Sequence, residues 1–412
     1  MKNRSVFSIF VIGSLFFVLG FVTWLNSILI PFLKLSCELT DFQSSFVTFA
    51  FYISYFVTAI PSSYLLKKVG FNRGMSLGLI IMAIGALLFV PAAMSRSYMI
   101  FLVGLFTTGI GLSILQTAVN PYATVIGPIE SAARRISIMG ICNKVAGMIG
   151  IFLLSSLLFS DASNMTEQIA AVTNLADKEL ALQALSHRVI TPYLIMAAIL
   201  IGLVMVIKAA KLPEIDEEME DNNSTDADKS IRKYSYLWFG IVAIFFYVGA
   251  EVIAIDYLVR FGDFMGLHSV SKTLPIYALI ALVVGYLVGI IAVPRFVSQR
   301  RALIMQLLLS MILVCVALFG KGIIAVCGVI GLSFTHAIMW PAIWPLSIHD
   351  LGKHTKLGAA LLIMAISGGA VIPLIYGKIS DIFNPQSGIA ILFIGYLYLM
   401  FFACIGYKLQ KK

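Results

Sequence analysis

Charge is scarce in this sequence. Of its 412 residues only 12% are Asp, Glu, Lys or Arg, and 60% are hydrophobic. An average soluble domain carries about 25% charged residues, because a globule in water must cover its core with polar groups. So apolar a chain is excluded from that class, whereas a bilayer removes the requirement by making hydrocarbon the solvent. Cysteine is scarce too: Cys37, Cys142, Cys315, Cys327 and Cys404 are the only five. Their spacing fits no zinc or redox pattern. Four lie in apolar runs, where a thiol behaves as a small hydrophobe, and no disulfide is needed. There is also no phosphate-binding loop, paired-histidine metal motif or nucleophile motif. No catalytic residue, cofactor or metal is expected, and an enzyme is a remote reading. The net charge of +9 does not point to nucleic acid. The basic residues are scattered between apolar runs and form no stripe, which suits lipid headgroups and membrane topology better.

Long hydrophobic runs are what the chain does have. Runs able to cross ~30 Å of hydrocarbon fall at 6–33, 43–66, 74–94, 97–121, 135–160, 189–210, 235–261, 272–293, 301–319, 322–348, 356–380 and 387–408. The first is too long for a signal-peptide core and no small-x-small site closes it, so it reads as a membrane helix. The split between runs nine and ten rests on Gly320-Lys321-Gly322. Strands are not needed anywhere. The expected fold is therefore an all-α polytopic membrane protein of twelve transmembrane helices.

Two connectors are longer. Residues 161–188 are polar, with a helix-like stretch from Thr166 to Ser186. Residues 211–234 hold a run of acidic side chains followed by Lys229, Arg232 and Lys233, a composition typical of a soluble linker. That linker divides the chain into a six-helix half at 1–210 and another at 235–412, the anatomy of a rocker-type transporter. The short basic turns 66–73 and 294–301 sit at corresponding places in the two halves, which supports an internal repeat. Of the 29 Lys and Arg residues, one side of the twelve-span arrangement holds twenty and the other eight, with Lys144 inside a span. Positive charge favours the cytoplasm, so both termini should lie there, in the cell (inner) membrane. A monomer is the default expectation.

Polar residues inside spans are costly and mark function. Span seven carries Glu251 and Asp256. Five residues apart, they lie about 140° apart on an ideal helix. Either the helix breaks there or the two face different ways. A carboxyl group in an apolar span can exchange a proton, or accept from a sugar hydroxyl. Span four carries Gln116 and Asn120 at i, i+4, on one face. Amides both donate and accept, as sugar hydroxyls require, though they also glue helices together. Asn143 and Lys144 lie in span five. Lys144 is about 13 Å along the helix from Arg135, too deep to snorkel fully, so it needs a carboxylate or water. Span one holds Trp24 and Asn26, and span ten holds His336, Trp340 and Trp344. Tryptophan stacks on the apolar face of a pyranose but also marks membrane interfaces.

Several stretches carry a family resemblance. They are Gly20-Phe21-Val22-Thr23-Trp24-Leu25-Asn26-Ser27-Ile28-Leu29-Ile30-Pro31, Leu115-Gln116-Thr117-Ala118-Val119-Asn120-Pro121-Tyr122, Tyr247-Val248-Gly249-Ala250-Glu251, and Gly358 to Asp381. The chain resembles the fucose–galactose–glucose:proton symporter branch of the major facilitator superfamily over nearly its whole length. The glucose/galactose and N-acetylglucosamine permeases resemble it more than fucose permease does. The resemblance implies two six-helix halves and proton-coupled import of a hexose or N-acetylhexosamine. It also marks departures. The span-one Asp and span-four Glu of fucose permease are here Ser27 and Gln116, which take up no proton. Its span-five Asn is retained as Asn143, the Gln three residues earlier becomes Gly140, and a span-ten Tyr becomes Trp340. Coupling, if retained, falls to Glu251 or Asp256. The substrate-binding candidates are Trp24, Asn26, Gln116, Asn120, Asn143, Lys144, His336 and Trp340. A passive sugar uniporter and a membrane sugar sensor that does not transport remain as alternatives.

Overall fold

The computed structural model describes residues 2–125, 132–159, 174–210, 231–293, 295–348, 351 and 354–409. Among them every regular element is helical. Helices satisfy each backbone amide and carbonyl within one segment, which a hydrocarbon environment demands. Among the described residues twelve stretches are long and apolar enough to cross a membrane: Phe10–Ser36, Asp41–Val69, Phe71–Met94, Tyr98–Val119, Ile138–Leu158, Ala176–Ala209, Ser235–Asp256, Ser271–Ala292, Gln299–Phe319, Ile323–Ile348, Leu357–Ile382 and Pro385–Lys408. These are spans one to twelve. Their outer walls are apolar and bare: Phe152, Met205, Ile291 and Ile312 are each at least 60% exposed, as lipid-facing side chains must be.

The number of spans agrees with the hydrophobic runs, and the boundaries differ by residues. The helix of span five begins at Ala132, a turn before the apolar run. Spans nine and ten part where expected, with Gly322 at φ 51, a left-handed conformation that glycine adopts at little cost. Of the helix-like stretch 166–186, residues 166–173 lie outside the described residues. The remainder is helix Leu175–His187, started by Asn174, whose side chain accepts from the Ala176 N–H at 3.1 Å. Of the linker only residues 231–234 are among the described residues, beginning with a short 3₁₀ turn, Ile231–Lys233. Several spans are interrupted, one and eleven among them. Span one breaks at Leu25, between helices Lys2–Trp24 and Asn26–Ser36. Span eleven passes through a 3₁₀ turn, Ala365–Ser367, between Thr355–Met364 and Gly368–Ile382.

Spans one to six pack chiefly among themselves, as do seven to twelve. The two groups meet along two seams, span two against span eleven and span five against span eight. In each group several helix contacts are too close for any side chain but glycine, and two of them bear on the span order. A Cβ at Gly20 of span one would lie 1.9 Å from the Asn143 carbonyl oxygen of span five. A Cβ at Gly368 of span eleven would lie 1.8 Å from the Phe245 carbonyl oxygen of span seven. Spans one and five are packed through a glycine as spans seven and eleven are, although the glycine lies on span one in the first pair and on span eleven in the second.

Gly20→Ala should therefore destabilise the protein by about 1–3 kcal/mol, the usual cost of overpacking. Gly202→Ala should leave it unchanged, because nothing lies within 4 Å of a Cβ there. Thermal unfolding of the two variants in detergent measures the difference.

Candidate functional site

Span seven is one continuous helix from Ser235 to Asp256, so its two carboxylates face different ways instead of straddling a break. Glu251 faces the other group of spans. The Lys144 ammonium of span five lies 3.5 Å from its Oε1, with the two side chains only 10% and 12% exposed. This is the ion pair that Lys144 requires, and it joins the two six-span groups at the middle of the molecule. The same ammonium lies 4.1 Å from the ring centroid of Trp24, a cation–π contact strengthened by the loss of water. Trp24 Nε1 donates to Asn143 Oδ1 at 3.2 Å, and Asn143 Nδ2 donates to the Phe16 carbonyl at 3.4 Å. Glycines make this arrangement fit. Gly20 brings span one onto the Asn143 backbone, and a Cβ at Gly147 would meet the Trp24 ring at 2.4 Å.

An aromatic wall continues from Glu251. Tyr247, one helical turn earlier, directs its hydroxyl at the Glu251 carboxylate. Its ring is 6.2 Å from Trp340 and 6.0 Å, edge-on, from His336. Trp340 stacks on Trp344 at 5.2 Å. His336 is fully buried and shares a 2.7 Å hydrogen bond between Nε2 and the Tyr396 hydroxyl of span twelve. It props the wall from behind.

Trp24, Asn143, Lys144 and Glu251 are thus in one chain of contacts, which Tyr247 extends to Trp340 and His336. Other candidates stand apart from it. Asn26 is 1% exposed with its Nδ2 unpartnered. Gln116 is half-buried in span four. The Asn120 side chain lies outside the described residues. Asp256 is fully buried, and neither of its carboxylate oxygens has a hydrogen-bond partner among the described residues. Tyr247 was not singled out from the sequence, although its i, i+4 spacing to Glu251 was a usable signal. Among the described residues no cluster of three His, Cys, Asp or Glu side chains is placed to hold a metal ion. The site combines an amide, an ammonium, a carboxylate and indole faces. Such a set can bind a polyhydroxyl ring through donors, acceptors and an apolar face together.

Removing one partner of a buried ion pair leaves the other charge uncompensated. Lys144→Met and Glu251→Gln should each lower the melting temperature, and the double variant should recover most of the loss. The expected coupling is about 1–3 kcal/mol. Simple additivity in a thermal double-mutant cycle would show that the two groups do not interact.

Comparison with known proteins places this geometry in a family. The Major Facilitator Superfamily model matches residues 12–372. The glucose/galactose transporter of Brucella abortus biovar 1 (strain 9-941) is 34% identical over 397 residues, covering 96% of this chain and 92% of that protein. The L-fucose-proton symporter of Escherichia coli (strain K12) is 30% identical over 380 residues, covering 89% and 85%. The crystal structure of the superfamily transporter FucP in the outward conformation superposes with a TM-score of 0.74 at 28% identity, covering 97% of this chain and 98% of that one. Twelve spans, the family model and these relatives agree, and the chain belongs to the Major Facilitator Superfamily as a multi-pass membrane transporter.

Proposed function

We propose that the protein imports a hexose or N-acetylhexosamine with a proton by alternating access between two halves, residues 1–210 and 235–412, joined by the linker 211–234. The observation that carries this reading is the Lys144–Glu251 pair, a titratable contact between the halves beside Trp24, Asn143 and Trp340. Relatives named as glucose/galactose transporter and L-fucose-proton symporter support the substrate class and the coupling ion. The sugar ring lies between the indole faces, with its hydroxyls bonded to the Asn143 amide and the Lys144 ammonium. A proton added to a Glu251 carboxylate oxygen dissolves the ion pair, frees Lys144 for the sugar, and leaves no isolated anion on span seven as the halves move. Loss of the proton on the other side restores the pair. Asp256 is the second candidate for the coupling group. The excess of Lys and Arg on one side of the twelve-span arrangement supports an inner-membrane topology with both termini in the cytoplasm.

A passive uniporter is the second reading. It is favoured by Ser27 and Gln116, which occupy the positions of the two fucose permease carboxylates and cannot titrate.

Proteoliposomes given labelled hexose on the outside separate the two. The wild type should accumulate sugar when a pH gradient is imposed. Glu251→Gln should abolish accumulation driven by the pH gradient yet retain sugar-for-sugar exchange, because exchange never needs the empty carrier to release its proton. If Glu251→Gln and Asp256→Asn both still concentrate sugar, neither group couples. If the wild type ignores the gradient, the uniporter or another coupling ion is preferred. Separately, tags at either terminus should react only from the cytoplasmic side, and residues 161–188 only from the opposite side.

A further inference from the structure

A second polar cluster joins the two groups of spans, at the end of the molecule bearing residues 37–45. Its centre is Asp41, the first residue of a short helix, Asp41–Ser44. One carboxylate oxygen of Asp41 pairs with Lys34 of span one and the other with Arg260, just beyond span seven. The Arg260 side chain is only 9% exposed, so this is a sheltered ion pair and bulk salt screens it little. Next to it the Phe42 N–H donates to Asp381 Oδ2 of span eleven at 2.8 Å. A buried hydrogen bond of 2.8 Å joins the Thr48 and Tyr257 hydroxyls. A Cβ at Gly377 of span eleven would lie 2.2 Å from Ser45 Oγ. The short helix is tied just as firmly to its own group. Thr40 and Gln43 form a reciprocal capping box, and the Tyr98 hydroxyl donates to the Gln43 carbonyl at 2.6 Å.

We infer that residues 41–48 form a latch that holds this face of the transporter shut, and that the latch opens by losing only Arg260, Asp381 and Tyr257 while Asp41 stays on Lys34. Sharing one carboxylate between two cations makes that asymmetric release inexpensive. When the halves part, Asp41 is never left as an unpaired anion, and Arg260 is left at a widening, wetter cleft. Closure then re-forms three directional contacts at once, which favours two discrete states over a continuum. Naming this face as the outer one rests on the topology proposed above; the latch itself does not.

A reporter thiol tests it. Tyr52 of span two is 4% exposed and packs against Gly369 of span eleven, behind the latch. Purified Tyr52→Cys protein with its five native cysteines replaced by serine, in liposomes of defined sidedness, is treated with a membrane-impermeant maleimide, without sugar or pH gradient. In this background Asp41→Asn and Arg260→Gln should each speed labelling of the thiol about tenfold, and their combination should add little. Arg260→Lys should restore slow labelling, and Lys34→Gln should have a smaller effect than Arg260→Gln. Monodisperse elution of each variant excludes misfolding as the cause. Unchanged labelling in folded Asp41→Asn and Arg260→Gln overturns the latch, and an effect of Lys34→Gln equal to that of Arg260→Gln overturns the asymmetric release. Acceleration seen only from the cytoplasmic side keeps the latch and overturns the topology. Sugar and coupling play no part in the readout.

Discussion

An ionised group inside hydrocarbon must have a partner, and that constraint organises the centre of this protein. Lys144 is too deep along its own helix to snorkel fully, so span five is held where a carboxylate from another span reaches it. Glu251 supplies that carboxylate from the other half of the chain. The requirement explains the glycines around it. Gly20 and Gly147 let span one settle against span five until the Trp24 ring lies under the ammonium and its N–H meets Asn143. Tyr247 then faces Glu251 from its own helix, and Trp340, Trp344 and His336 pack outward from that point. The polar centre and the close helix packing are one arrangement.

The two clusters that join the halves differ in kind. The central one is a single ion pair at 3.5 Å, longer than a strong charge-assisted hydrogen bond. It has aromatic faces on both flanks and one orphaned carboxyl, Asp256, further along the same helix. The cluster around Asp41 is denser, with ion pairs, a backbone donor and a hydroxyl pair held within a few residues of one another. A loose pair suits a place where a ligand must compete for the same groups. A dense set of short contacts suits a place that must close tightly.

Much of this was legible in the sequence because lipid simplifies the rules. Twelve apolar runs gave twelve spans, since a helix is the only way to satisfy the backbone across the bilayer within one segment. Even the weak division at Gly320-Lys321-Gly322 was visible from its glycines. The need of Lys144 for a carboxylate was also readable, and Glu251 was one of few available. The rest depends on contacts between residues distant in the chain. Nothing local in Asp41, in a polar turn, distinguishes it from any surface acid, and its partner Arg260 is more than 200 residues away. His336 looked like a group for the cavity because an imidazole in an apolar run invites that reading, but the Tyr396 hydroxyl that occupies it comes from a different span. Asn26 and Asp256 are buried as their positions suggested, yet burial alone does not say which neighbour they serve.

The central pair has an electrical consequence. Lys144 and Glu251 together carry no net charge, so turning the paired site from one side of the bilayer to the other moves no charge through the transmembrane field. Any cation that neutralises Glu251 leaves the site with one positive charge, and that state alone feels the membrane voltage, at about 2.3 kcal/mol per 100 mV for a charge crossing the full potential. A cell that is negative inside would then pull the loaded carrier inward while leaving the empty one free to return.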